Sequence, residues 1–411
     1  MAQCAGQASR ECIQPSTWHS VPARGEVKPA SRAVHAGRDL AARARQGRVP
    51  LAPDLSPASV HVFTDLEDYD AVARGERPGQ YYGRNTNTNR EMLERAVADL
   101  EGAEAGVATA SGMAALHGAV LALTPKPAAI VATRELYGGT AALLRQDLEP
   151  LGYEAQFVDL MDLDAVQRVV HGAGLVIAET ITNPLCRVPD LEAIAAMCRE
   201  RSVPLLVDNT FATPLVCRPL ASGATVVMHS ATKYLGGHSD LVAGVIVGDA
   251  ATMGIARARS ARTGTTLAPF DAWLALRGLR TLDVRMRRHS ENSLALARAM
   301  RSMPGVVRVH HPLLDGPNRL LSDGSGGMMA FDLDGGREAV QRMISRFQLV
   351  TFAASLGGVE TTISYPEITS HRSMSVEERR EVGVGPGTVR VSVGIEDAGD
   401  IIADFELALA Q

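Results

Sequence analysis

The sequence predicts an α/β protein in which a mostly parallel sheet, covered on both faces, precedes a smaller C-terminal α+β domain. Three observations predict it. Between about residues 90 and 230, short apolar runs alternate with helix-length segments, the rhythm of successive strand–helix units. Those runs are apolar throughout rather than at every second position, as strands buried on both faces are. Around Pro269 the pattern gives way to a long helical stretch and then to short segments punctuated by Gly326-Gly327, Gly335-Gly336 and Gly357-Gly358.

Taken in order, residues 1 to about 60 are rich in Ala, Arg, Pro and Ser without sustained periodicity. They read as an extended arm, partly disordered at its start. Residues 90–100 read as a helix, and Ser111 reads as the cap of a largely buried one over 112–123. Strands are expected at 128–132, 174–178, 204–207 and 224–228, and helices at 139–151 and 191–201. The stretch 270–303 reads as helical and carries many arginines. The expected organisation is an arm over 1–80, an α/β domain over 81–268 and a C-terminal domain over 269–411.

Composition narrows the function. The 411 residues are 46% apolar and 21% charged with a formal charge of -5, which suits a globular chain with a large core. No dense basic stripe supports nucleic-acid binding, and no apolar run approaches the ~20 residues of a membrane span. Cys4, Cys12, Cys186, Cys198 and Cys217 are scattered and odd in number, so neither a disulfide framework nor a metal site is expected. A reducing cytoplasm is the natural compartment.

Several apolar runs end on a polar residue: one at Glu179, the next at Asp208, the third at His229-Ser230. In open α/β sheets, ligands bind beyond the carboxyl ends of the strands. Lys233 follows the third run closely, within the segment HSATKYLGGHSD; the only other lysines are Lys28 and Lys126, in a polar tail and a proline-flanked loop. Adjacent strand ends would bring Asp208 and Lys233 within one ligand's reach. A buried ion pair would satisfy the same spacing. Ser111-Gly112-Met113 opens a helix, whose N–H groups suit an anion, and Ser230 and Thr232 add hydroxyls beside the lysine. An anion site, an aldehyde-reactive lysine and an acid for a ring nitrogen together describe pyridoxal phosphate. Asp208 would keep the ring nitrogen protonated, and Lys233 would be the Schiff-base lysine and the mobile base, with a lowered pKa.

HSATKYLGGHSD together with VDNTF (207–211) resembles the Cys/Met-metabolism branch of pyridoxal-phosphate enzymes. The resemblance spans roughly residues 33–410, through LYGGT (136–140), ETITNP (179–184), PFD (269–271) and VRVSVGIED (389–397). It implies the aspartate-aminotransferase-like fold type I and a small amino-acid substrate. It also implies γ-elimination or γ-replacement, as in cystathionine γ-lyases and γ-synthases. Methionine γ-lyase or β-lyase activity, or a specialised pathway using an uncommon homoserine derivative, stands as the alternative; a non-catalytic relative is a third reading. By the same resemblance Tyr137 stacks on the cofactor ring and assists the leaving group, and Asn183 and Glu179 sit beside the cofactor. Gly112, Met113, Ser230 and Thr232 cradle the phosphate with Ser111. Ser355 and Arg390 take the substrate carboxylate, with Asn183 and Glu360 near the substrate. Tyr82 and Arg84 reach a neighbouring subunit's phosphate, which implies a homo-oligomer, with a dimer of dimers usual.

Some residues depart from that pattern. Thr88 and Asn89 stand where the family reads Pro-Thr, which is either a retuned turn or an altered substrate rim. Gly139 replaces a cysteine typical of methionine γ-lyases. Asp54 and His61 lie in an atypical arm, and LGGVE (356–360) favours cystathionine-type members over sulfhydrylases.

Overall fold

The computed structural model describes residues 27–38, 50–321, 324–372 and 374–410. Cys4, Cys12 and the expected disorder at the start of the arm fall outside these residues. Seven strands form the larger sheet: β1 (Ala105–Thr109), β2 (Ala129–Thr133), β3 (Glu154–Val158), β4 (Ala173–Glu179), β5 (Leu205–Asp208), β6 (Val226–Ser230) and β7 (Gly244–Gly248). Their spatial order is β1-β7-β6-β5-β4-β2-β3. Pairings among β2 to β6 are parallel, and only β7 runs against its neighbours, β1 and β6. The expected mostly parallel sheet is therefore present, with one reversed strand.

Helices cover both faces. The helix Gly112–Leu123 packs Leu116 and Ala119 on Ile130, Leu206, Met228 and Ile246. On the opposite face the helix Thr88–Glu101 sets Leu93 and Val97 against Val227, Val245 and Val247. The helix Leu191–Glu200 packs Leu191 and Ile194 on Val131, Val176 and Val207. Each fully buried aliphatic side chain of this kind contributes about 1.5–3 kcal/mol of transfer free energy.

The second sheet contains β8 (Val306–His310), β9 (Met328–Leu333), β10 (Thr351–Phe352), β11 (Thr362–Ser364) and β12 (Thr388–Ser392), in the order β10-β11-β12-β9-β8. Its core joins Phe331, Val389 and Val391 to Phe405 of the last helix, Ala398–Leu409.

Differences from the expected elements have local causes. The expected helix over 139–151 is a short helix, Gly138–Ala142, continued by a wider turn over Leu143–Leu148 and a tighter one over Glu149–Leu151. Pro150 lacks the N–H a regular helix needs. The stretch expected as one helix over 270–303 is two, Pro269–Leu279 and Leu282–Met300, separated at Arg280-Thr281. The arm is not wholly extended, because Pro29–Val34 and Leu66–Ala73 are helical. In the latter, Asp65 caps the first turn by accepting the Glu67 N–H at 2.8 Å.

Candidate active site

A cavity of about 530 Å³ opens at the carboxyl ends of β4, β5 and β6. Strand alternation sends Glu179, Asp208, Met228 and Ser230 into it. Lys233 joins them from the turn after β6, where its own N–H donates to the Ser230 carbonyl at 3.1 Å. Its ammonium donates to Ser355 Oγ at 2.5 Å. Burial, reinforced by the nearby Arg390 charge, lowers the Lys233 pKa to about 8. The lysine is thus closer to its free-base form at neutral pH than an ordinary lysine.

The opposite end of the cavity suits an anion. Ser111 caps the helix Gly112–Leu123 by accepting the Ala114 N–H at 3.1 Å, and Gly112 and Met113 line the cavity. A Cβ on Gly112 would come within 2.8 Å of Ser230 Cβ, so only glycine lets this first turn approach the serine. Ser230 and Thr232 complete the lining there.

Between these ends stand two carboxyls in register on neighbouring strands, Glu179 and Asp208. Burial raises the Asp208 pKa against the opposing hydrogen bonds of Thr210, whose N–H donates to Asp208 Oδ1 at 2.9 Å. Burial, with the Asp208 charge beside it, holds Glu179 well above the usual carboxylate range. Glu179 is also a clamp. Its two oxygens accept the N–H groups of Tyr137 (2.8 Å) and Asn183 (3.0 Å). A protonated pyridine ring beside Asp208 would offset the burial that raises this pair. The residues present therefore fit pyridoxal phosphate at three points: an amine of lowered pKa, a buried carboxyl of raised pKa, and a glycine-opened helix start.

Arg390 enters from β12 of the second sheet and is buried. It donates to Asn183 Oδ1 at 3.0 Å and to the Ser355 carbonyl at 3.2 Å. Ser355 has φ +88°, a left-handed conformation costly for a non-glycine residue. Its two bonds, through the carbonyl to Arg390 and through the hydroxyl to Lys233, hold it there.

Of the residues singled out from sequence, the cavity gathers Ser111, Gly112, Met113, Tyr137, Glu179, Asn183, Asp208, Ser230, Thr232, Lys233, Ser355 and Arg390. Tyr82 and Arg84 lie elsewhere. Tyr82 bridges Val60 of the arm, and the Arg84 guanidinium sits 5.4 Å from the Tyr82 ring centre. Glu360 is not part of the wall either, nor are Asp54 and His61. The atypical Asn89 is buried and grips the arm, accepting the Ser56 N–H at 2.8 Å and donating to the Asp54 carbonyl at 2.7 Å. Neither it nor Thr88 lines this chain's own cavity.

Sequence reasoning missed Thr210, Val242, Ala354 and the segment Ile368, Thr369 and Ser370, all of which line the cavity. Thr210 could have been found from its place two residues after Asp208, where its hydroxyl accepts the Ser230 N–H at 2.9 Å. The 368–370 segment carried no local signal; tertiary folding alone brings it over the site.

An α/β fold whose strand-end cavity joins a lysine of lowered pKa, a buried carboxyl pair and a glycine-opened helix start fits a pyridoxal-phosphate enzyme of the aspartate-aminotransferase-like class. The chain belongs to the Cys/Met metabolism PLP-dependent enzyme family, whose model matches residues 30–410. It is 37% identical to an L-methionine gamma-lyase of Pseudomonas putida, over 92% of this chain and 96% of that one. It is 39% identical to a cystathionine gamma-lyase of Bacillus subtilis, over 85% and 94% respectively. A crystal structure of cystathionine gamma synthase from Xanthomonas oryzae pv. oryzae superposes with a TM-score of 0.86 at 34% identity, covering 93% of this chain and 98% of that one.

Proposed function

We propose that the chain catalyses γ-elimination or γ-replacement on a Cγ-substituted L-amino acid, breaking a C–S or C–O bond. The observation that carries this reading is the convergence of Lys233, Asp208, Tyr137 and Arg390 on one cavity. Similarity to a gamma-lyase and a gamma synthase supports it. When bound, pyridoxal phosphate supplies an electron sink for charge developing at the substrate Cα.

The chain's residues do the rest. Arg390 grips the α-carboxylate, a planar fork suited to two parallel hydrogen bonds, with Ser355 and Asn183 beside it. Asp208 holds a proton on the ring nitrogen, while Ser111, Gly112, Met113, Ser230 and Thr232 hold the phosphate. Lys233 takes the proton from Cα, would hand it on to the bound cofactor and, as a free base again, would take one from Cβ, a task eased by its pKa of about 8. Tyr137, whose loop Glu179 fixes, gives a proton to the group departing from Cγ. Water arriving afterwards leads to a 2-oxo acid and ammonia, whereas another nucleophile arriving at Cγ gives replacement.

The proposed working unit is at least a dimer. In it the arm over 1–80 reaches the neighbouring site, 81–268 holds the cofactor and 269–411 closes the pocket. Tyr82 and Arg84 would serve the partner's phosphate, in keeping with their distance from this chain's own cavity, and Glu360 would act at the substrate rim. The exposed apolar side chains of Leu51, Val60, Val62 and Leu66 support an arm that packs against another copy. The proposed place of work is the cytoplasm, supported by the buried, unpaired Cys186, Cys198 and Cys217.

Incubation with cystathionine, O-acylhomoserines, methionine and cystine, with and without a thiol acceptor, tests the reaction. Oxo-acid release or thiol incorporation from a Cγ-substituted amino acid is expected. Turnover confined to cystine would identify a β-lyase, and turnover of no Cγ-substituted amino acid would sink the proposal.

A further inference from the structure

Behind the sheet, on the face away from the cavity, lies a second constellation of buried polar groups. Thr180, Asn209 and His229 are the chain neighbours of Glu179, Asp208 and Ser230, and strand alternation turns them away from the cavity. All three are fully buried. Glu101, the last residue of the helix Thr88–Glu101, meets them with its carboxylate. Its Oε1 accepts from Asn209 Nδ2 at 2.8 Å and from His229 Nε2 at 2.6 Å. Asn209 in turn donates to the Cys217 carbonyl at 2.9 Å and accepts from Thr180 Oγ1 at 2.8 Å. One carboxylate and one amide thus join the ends of β4, β5 and β6.

A glutamate at this place is costly on two counts. It is 2% exposed, and it sits at the negative end of the helix dipole. Its two donors must compensate, and removing it would leave the His229 Nε2–H and one of the two Asn209 N–H groups buried without a partner. We infer that Glu101 is a positioning residue for the cofactor cradle, setting from behind the sheet the spacing between the strand end carrying Asp208 and the one carrying Ser230. Asp208 faces the ring and Ser230 the phosphate, so an error in that spacing strains the cofactor between its two anchors. Arg390 belongs to the other sheet and lies outside this network. This inference rests on the proposed roles of Asp208 and Ser230.

The test compares the holoenzyme with Glu101→Leu and Glu101→Gln. It reads the absorbance of lysine-bound cofactor after dilution and dialysis, kcat and KM at saturating cofactor, and melting of the cofactor-free protein. Glu101→Leu is expected to weaken cofactor retention and lower kcat, each roughly ten- to hundredfold, the weight that outer supports of a site usually carry. KM should change little, because the carboxylate grip is untouched. Glu101→Gln, whose amide oxygen can accept the same two donors, should restore both readouts to within about threefold of the wild type.

Wild-type cofactor retention and kcat in a folded Glu101→Leu would overturn the inference, whether or not its melting temperature falls. A glutamine variant as damaged as the leucine one would overturn it too. Should Glu101→Leu yield no folded protein, His229→Gln and His229→Leu make the same comparison, since only glutamine keeps a donor; equal cofactor loss in both overturns it. Absence of lysine-bound cofactor in the wild type would instead sink the roles given to Lys233 and Asp208.

Discussion

Lys233 shows how a single side chain is prepared by two separate parts of the chain. Its backbone belongs to the turn after β6, while its amine meets Ser355 and the charge of Arg390, both beyond residue 350. A pKa of about 8 has a kinetic signature. Only the free base attacks an aldehyde, so capture of pyridoxal phosphate by cofactor-free protein should speed up with pH and level off above about 8. Stopped-flow absorbance would follow it; a rate still climbing towards the ordinary lysine value would contradict the environment described here. Lys233→Ala should abolish the lysine-bound band and lower kcat by about a thousandfold or more. Lys233 and Asp208 were legible in the sequence because each closely follows an apolar run that had to be a buried strand. Ile368, Thr369 and Ser370 were not, because nothing local marks a turn that the rest of the fold carries to the cavity.

At the scale of elements, the strands whose ends carry chemistry were the readable ones. β1, Ala105–Thr109, escaped because Ala and Gly give it little of the β-branched character that marks a strand. β7, the reversed strand, is rich in valine, but its place between β1 and β6 is a tertiary fact no local pattern states. Nor does sequence reveal the contact between the loop carrying Tyr137 and the turn over 366–371. There a Cβ built on Gly138 would meet the Ser370 carbonyl oxygen at 1.8 Å. Gly138→Ala must therefore force that turn and the loop carrying Tyr137 apart. Cofactor retention should fall less than turnover, since Tyr137 is the only proposed cofactor contact on these two elements while the lysine, the phosphate cradle and Asp208 lie on others. Turnover should fall on the order of a hundredfold, the usual cost of misplacing a wall of the site by about an ångström. Absorbance and steady-state kinetics on one preparation separate the two; equal loss of both would mean that the turn also supports the cofactor.

For the whole molecule, the question is how many chains make one site. Asn89 fixes the arm at residues 54–56, the Trp273 indole donates to the Pro53 carbonyl at 2.8 Å, and Tyr82 with Arg84 is held at a distance from the chain's own cavity. If sites are shared, two inactive variants should rescue each other. Mixed oligomers of Lys233→Ala and Arg84→Ala, unfolded and refolded together, are expected to regain part of the wild-type activity, since some sites then combine an intact lysine with an intact arginine. Mixing that yields no more activity than the separate variants would place Arg84 at its own chain's site or at none. Light scattering on the wild type should give at least twice the mass of the chain.

The turn that presses on Gly138 also bears on how such an enzyme changes over generations. It lies between β11 and the helix Val376–Glu381, while the groups proposed to hold cofactor lie mostly on the carboxyl edge of the other sheet. Residues 368–370 can therefore be rewritten while the groups proposed for the ring nitrogen and the phosphate, Asp208, Ser230 and the start of the helix Gly112–Leu123, stay on their own strands and helix. Inheritance of the chemistry and novelty in the substrate are physically uncoupled here, and grafting this one turn between relatives is the smallest exchange by which selection, or an engineer, could retarget the reaction.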